Sequence, residues 1–195
     1  MAAPTLNFRD LVIVIADPNT YFCMLVHSML RSFGANKVME IRDGLRLVQA
    51  LSEQKVDIVL CDAHLPPYGG LKLTHAIRNN RENENRTVPI LLLTGDSRMS
   101  TIKTARDNGA NMVLTKPVSP TSLYDRLGWI AFHPRKFVDC PTYFGPDRRF
   151  KIEGYPGGVG RRKGDMAAAE IGEAEGPALS QGDIDSLFSN AKTSN

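Results

Sequence analysis

Five short aliphatic runs, each followed by an amphipathic stretch, occupy residues 9 to 131 and leave few folds open to the chain. "LVIVIA" (11–16) is apolar at every position, as a parallel strand covered on both faces requires; a strand with one wet face would alternate. "NTYFCMLVHSMLRSFG" then sets Phe22, Leu25, Val26, Met29, Leu30 and Phe33 at helical spacing, with Gly34 where a helix would stop. The alternation continues with "NKVMEI" as a second strand and "DGLRLVQALSE" as a second helix with Asp43 as its N-cap. "VDIVLC" and "GLKLTHAIRNN" form the third pair, and the polar "RENENRT" is a loop. "VPILLLT" with "SRMSTIKTARDNG", then "NMVLT" with "SPTSLYDRLGWIAF", complete the series. Strand–helix units in series predict an α/β, doubly wound, five-stranded parallel sheet.

The strand ends carry the chemistry. The first strand runs into Asp17, the third into Asp62, the fourth into Thr94 and the fifth into Lys116, which Pro117 follows. In a parallel sheet those ends share one rim, where such folds bind their ligands. A second acid near an acceptor carboxylate suits Mg²⁺, a hard cation that prefers oxygen ligands and keeps much of its water. A lysine and a hydroxyl opposite suit the oxygens of a phosphoryl group as charge builds on them. Gly95, after Thr94, leaves room for phosphate to enter.

In these residues the chain resembles the receiver domain of two-component response regulators, the family of the chemotaxis receiver, over residues 9 to 131. The separations Asp17 to Asp62 and Thr94 to Lys116 are typical of that family, and "DAHLPPYGG" resembles its acceptor loop, with Leu65 in place of methionine. The resemblance implies a flavodoxin-like (βα)5 fold with Asp62 as phosphoacceptor, Thr94 as switch hydroxyl and Lys116 as the phosphate-contacting lysine before a cis Pro117. It implies Mg²⁺ held by Asp17, Asp62 and the backbone carbonyl of His64. It also implies a histidine kinase or phosphotransfer protein as donor, and signalling through protein binding rather than enzymatic turnover. Two departures stand out. Pro18 occupies the second position of the family's acidic pair, which weakens the Mg²⁺ site, and Val113 stands where many receivers carry a switch aromatic.

Beyond the receiver the composition changes, and the chain divides as a lead (1–8), the receiver (9–131), a basic Pro/Gly-rich extension (132–164) and an acidic tail (165–195). Residues 134–164 hold eight Lys/Arg against three acids, and residues 165–195 six acids against one lysine. No second core is visible, so an irregular tail is expected, with "TYFGPDRRF" as a part that docks. So short a segment does not supply a DNA-binding domain. In "ALSQGDIDSLFSN", Ser180 and Asp183 resemble a capping box that opens a short helix at 180–189, gathering Leu179, Ile184, Leu187 and Phe188 on one side. The stretch resembles the N-terminal peptide of the flagellar motor switch protein, which implies chemotaxis or motility and docking on a receiver, in cis or on another copy.

The overall charge of +3 says little about partners. The cysteines, Cys23, Cys61 and Cys140, show no metal-ligand spacing and read as reduced thiols. No signal peptide or membrane-length apolar run is seen, so a cytoplasmic protein is expected. Competing readings remain at this level. A degenerate receiver would act as a phosphorylation-independent adaptor, and Arg148, Arg149, Arg161 and Arg162 would suit an anionic ligand such as a cyclic dinucleotide. An aspartyl-phosphate phosphatase would carry an aspartate where His64 stands, and "DPNTYF" is not a flavin phosphate loop.

Overall fold

The structure is a computed structural model and describes residues 6–148. Strands β1 (Val12–Ala16), β2 (Lys37–Ile41), β3 (Ile58–Asp62), β4 (Ile90–Thr94) and β5 (Met112–Thr115) alternate with helices α1 (Thr20–Ser32), α2 (Gly44–Glu53), α3 (Gly70–Asn79), α4 (Met99–Asp107) and α5 (Pro120–Phe132). The strands pair in parallel in the order β2-β1-β3-β4-β5. This is the sheet the alternation predicts. Arg149, Arg161, Arg162 and the expected helix bearing Leu179, Ile184, Leu187 and Phe188 lie outside the described residues.

Unbroken apolar strands follow from burial on both faces. Ile13 and Ile15, with Ile58, Leu60, Leu91 and Leu93, fill the layer under α1 and α5. Val14 and Ala16, with Val59, Cys61 and Leu92, fill the layer under α2, α3 and α4. Each large aliphatic buried this way contributes roughly 1.5–3 kcal/mol. Local signals start the helices: Asn19 accepts the Phe22 N–H at 3.1 Å, Asp43 accepts that of Arg46 at 2.9 Å, and Ser119 with Ser122 forms a reciprocal box. The polar loop contains one 3-10 turn, Glu84–Thr87. There the buried Asn85 amide ties Val56 N, Leu51 O and Gln54 O together.

Within the stretch expected to be irregular, β6 (Phe137–Cys140) and β7 (Tyr143–Pro146) form an antiparallel hairpin, so the described part of the docking segment contains a strand. Its seat is Arg78, which is wholly buried. The guanidinium donates from Nε to Gly109 O at 3.0 Å, from Nη1 to Arg86 O at 2.7 Å and from Nη2 to Asn111 Oδ1 at 2.9 Å, and it faces the Phe137 ring 5.1 Å away. Arg86 stacks on Phe144 at 3.5 Å, and Arg148 lies over Tyr143 while pairing with Asp107 at 2.8 Å. Gly109, at φ +90°, lets the hairpin in: a Cβ on Gly145 would come within 3.0 Å of the Gly109 Cα.

Candidate functional site

Sheet order reverses beside β1, and the crevice beyond the carboxyl ends of β1 and β3 is where open parallel sheets place ligands. Register aligns the ends: Ala16 lies opposite Cys61, and Asp62 opposite Leu93. Asp17 therefore emerges beside Asp62, with Thr94 one residue past Leu93 on the next strand. Asp17, Asp62 and Thr94 are all buried.

Lys116 joins the two acids. Its Nζ donates to Asp17 Oδ2 at 2.5 Å and to Asp62 Oδ2 at 2.6 Å. The other carboxylate oxygens are held by backbone: Asp17 Oδ1 accepts the Asn19 N–H and Asp62 Oδ1 the His64 N–H, both at 2.8 Å. Lys116 itself is anchored by its N–H on Thr94 O at 2.7 Å, and the Lys116–Pro117 peptide bond is cis, as expected. Gly70 allows the tight loop after β3, since a Cβ there would overlap the Asp62 carbonyl oxygen.

The Thr94 hydroxyl does not bond to the acids. It accepts the Asp96 N–H at 3.0 Å, within a turn whose Asp96 carboxylate grips Arg98 and Thr101. The Arg98 hydrogen bond, and more weakly that of Thr101, holds the Asp96 carboxyl well below the usual carboxylate range. A Cβ on Gly95 would meet nothing within 4 Å, so the space at Gly95 itself is open. Val113 is buried in the layer under α4, with no aromatic in its place to swing. Arg148 is engaged by Asp107 and Tyr143, away from this rim. Burial raises the thiol of Cys23 to about 11 and that of Cys61 further, so both are inert neighbours of the acids.

Burial works against the charge on Lys116, but the hydrogen bonds to Asp17 and Asp62 outweigh it and hold the ammonium above its ordinary 10.5. Because the folded pKa is the higher one, the stabilisation is complete below the unfolded value and is lost as pH rises through the folded value. The melting temperature of the parent chain is therefore expected to fall above about pH 10.4 more steeply than that of Lys116→Met. Parallel slopes would contradict the ion triad.

Residues 13–128 match the family model described as the response regulator receiver domain. The chain belongs to the response-regulator receiver family. Among the receiver's relatives, the chemotaxis protein CheY-3 of Vibrio cholerae is 28% identical over 119 residues, covering 61% of this chain and 90% of that protein. The sensor kinase/phosphatase CqsS of Vibrio cholerae is 29% identical over 119 residues, 60% of this chain but only 17% of that protein. The chain thus spans under a fifth of the length of that kinase and of the sensory/regulatory protein RpfC of Xanthomonas campestris, which it also matches. Among solved structures, the receiver domain of the sensor histidine kinase PA1611 from Pseudomonas aeruginosa is 31% identical with a TM-score of 0.55, covering 62% of this chain and 98% of that one, and it holds a magnesium ion in its active-site cleft.

The donor set of this receiver fits such an ion. Two buried carboxylates already converge on one cation, the Lys116 ammonium, and oxygen is what Mg²⁺ prefers. Pro18 contributes no carboxylate, so water would fill more of the coordination shell. One further residue borders the site without any mark of that place in the sequence. The Phe22 ring centroid lies 4.2 Å from Lys116 Nζ, yet helical spacing marks Phe22 only as a core position. Among the described residues, no helix is long and apolar enough to cross a membrane.

Proposed function

We propose that this receiver accepts a phosphoryl group on Asp62 from a histidine kinase or phosphotransfer protein and signals by binding a protein partner. The observation that carries the reading is the Lys116 ammonium shared by Asp17 and Asp62 at the strand ends. In the transfer a carboxylate oxygen of Asp62 attacks phosphorus. The bond from phosphorus to the donor's imidazole nitrogen breaks, its electron pair stays with the imidazole, and an acyl phosphate forms. Asp17, Asp62 and the His64 carbonyl would hold Mg²⁺, which when bound offsets the charge of the incoming group.

This chain's own residues do the rest. Lys116 releases Asp62 Oδ2 and turns to a phosphoryl oxygen. Thr94, freed from the Asp96 N–H, donates to another oxygen, and the β4–α4 turn follows. Phosphate thereby favours one of two arrangements of the face made by α4, β5 and α5. Its partner is a protein; a role in chemotaxis or motility is supported by the 28% identical chemotaxis relative and by the tail's resemblance to a flagellar switch peptide.

Incubating the full chain with acetyl phosphate and Mg²⁺ and weighing it intact tests the reading. A gain of one phosphoryl mass, absent when the metal is chelated, is expected. No gain would favour the phosphorylation-independent adaptor that Pro18 suggests.

A further inference from the structure

We infer that Phe22 is a positioning residue for phosphoryl acceptance, its ring holding the Lys116 ammonium beside Asp62 without adding a further carboxylate. The inference rests on the proposed role of Asp62 and assigns a further residue to the same site.

The ammonium is held from three directions: by Asp17 Oδ2, by Asp62 Oδ2 and by the face of the Phe22 ring at 4.2 Å. The ring is itself tied to the site. Asp17 Oδ1 accepts the Asn19 N–H at 2.8 Å, and Asn19 Oδ1 accepts the Phe22 N–H at 3.1 Å. The carboxylate that binds the lysine thus also fixes the turn that carries the ring. Phe22 is only partly buried against the core layer under α1, so packing leaves part of the ring free to face the cation.

An aromatic face suits this task better than a third acid. Its quadrupole attracts the ammonium without supplying a full negative charge. Lys116 therefore keeps its charge available for the phosphoryl oxygens, while its freedom to swing toward solvent is reduced. Preorganisation of this kind lowers the cost of meeting charge as it develops. The ring has no group that could accept phosphate or ligate a metal, so its proposed effect runs through the Lys116 ammonium it faces.

The test separates this role from simple packing. Phe22→Leu keeps an apolar side chain but removes the quadrupole, and phosphorylation by acetyl phosphate is expected to slow about three- to tenfold. Phe22→Tyr should restore the parent rate. Phenylalanine bearing one, two or three ring fluorines, placed at position 22, keeps the shape while draining the negative face, so the rate should fall stepwise with fluorine number. In the unphosphorylated chain, the ε-methylene protons of Lys116 should show an upfield ring-current shift that disappears in Phe22→Leu. Equal phosphorylation rates across the fluorine series would overturn the positioning role, and a missing ring-current shift would overturn the contact. A parent chain that takes up no phosphoryl group, yet shows the ring-current shift, would instead refute Asp62 as acceptor and with it the role given to Phe22.

Discussion

Asp62→Asn is expected to lose phosphoryl acceptance completely while melting no lower than the parent chain. Asparagine matches aspartate in shape, and its oxygen still accepts the His64 N–H that now reaches Asp62 Oδ1 at 2.8 Å. What it lacks is the anionic oxygen that the proposed transfer requires. Stability follows a different logic. Two buried carboxylates share a single ammonium, so the cluster carries one uncompensated negative charge. With the asparagine oxygen on the His64 N–H, the amide NH2 replaces Oδ2, so Lys116 draws back to Asp17 alone, and the repulsion between the acids ends. Sites built for function commonly hold such unfavourable arrangements, and neutralising them often stabilises the fold. Intact-mass phosphorylation read alongside thermal melting checks both halves. A phosphorylated Asp62→Asn chain, or one that melts far below the parent, would contradict the account.

Arg78→Ala is expected to destabilise the protein by roughly 4–6 kcal/mol, read as a lower urea midpoint. The substitution empties a wholly buried site and leaves Gly109 O, Arg86 O and Asn111 Oδ1 without this donor. It also takes the cation from the Phe137 ring, loosening the hairpin, whose strand β7 packs against α3. Desolvation lowers the Arg78 pKa to about 9, which leaves the guanidinium charged at neutral pH. With total stabilities of about 5–15 kcal/mol, such a loss approaches unfolding. Arg78→Met, which keeps much of the volume but none of the donors, should lose less, and the difference between the two variants separates cavity from hydrogen bonding. A loss below about 1 kcal/mol in Arg78→Ala would mean that the hairpin is not seated on this residue.

The five-stranded sheet was legible because burial on both faces demands uninterrupted aliphatic runs, and "LVIVIA", "VDIVLC" and "VPILLLT" have few other uses. Asp17, Asp62 and Lys116 were legible as neighbours because parallel strands end on one rim. The hairpin over 137–146 was not, since "FVDC" and "YFGP" are short, interrupted and set in basic, Pro/Gly-rich chain. A signal for its seat did exist. Gly70, Leu73, Thr74, Ile77 and Arg78 follow one helical stripe, and an arginine on the buried stripe needs carbonyls and rings to receive it. The contact between Phe22 and Lys116 left no trace in the sequence, because residues far apart in the chain meet only once β1 and β5 are in place. Nor could it show that the Thr94 hydroxyl rests on the Asp96 backbone rather than facing the acids.

The most direct measurement is reductive trapping of the acyl phosphate. Borohydride converts a phosphorylated aspartate to homoserine, and peptide sequencing by mass spectrometry then locates it. After treatment with acetyl phosphate and Mg²⁺, homoserine is expected at position 62 and at no other aspartate. Homoserine at position 17, or nowhere, would contradict the assignment of Asp62 as the phosphoacceptor.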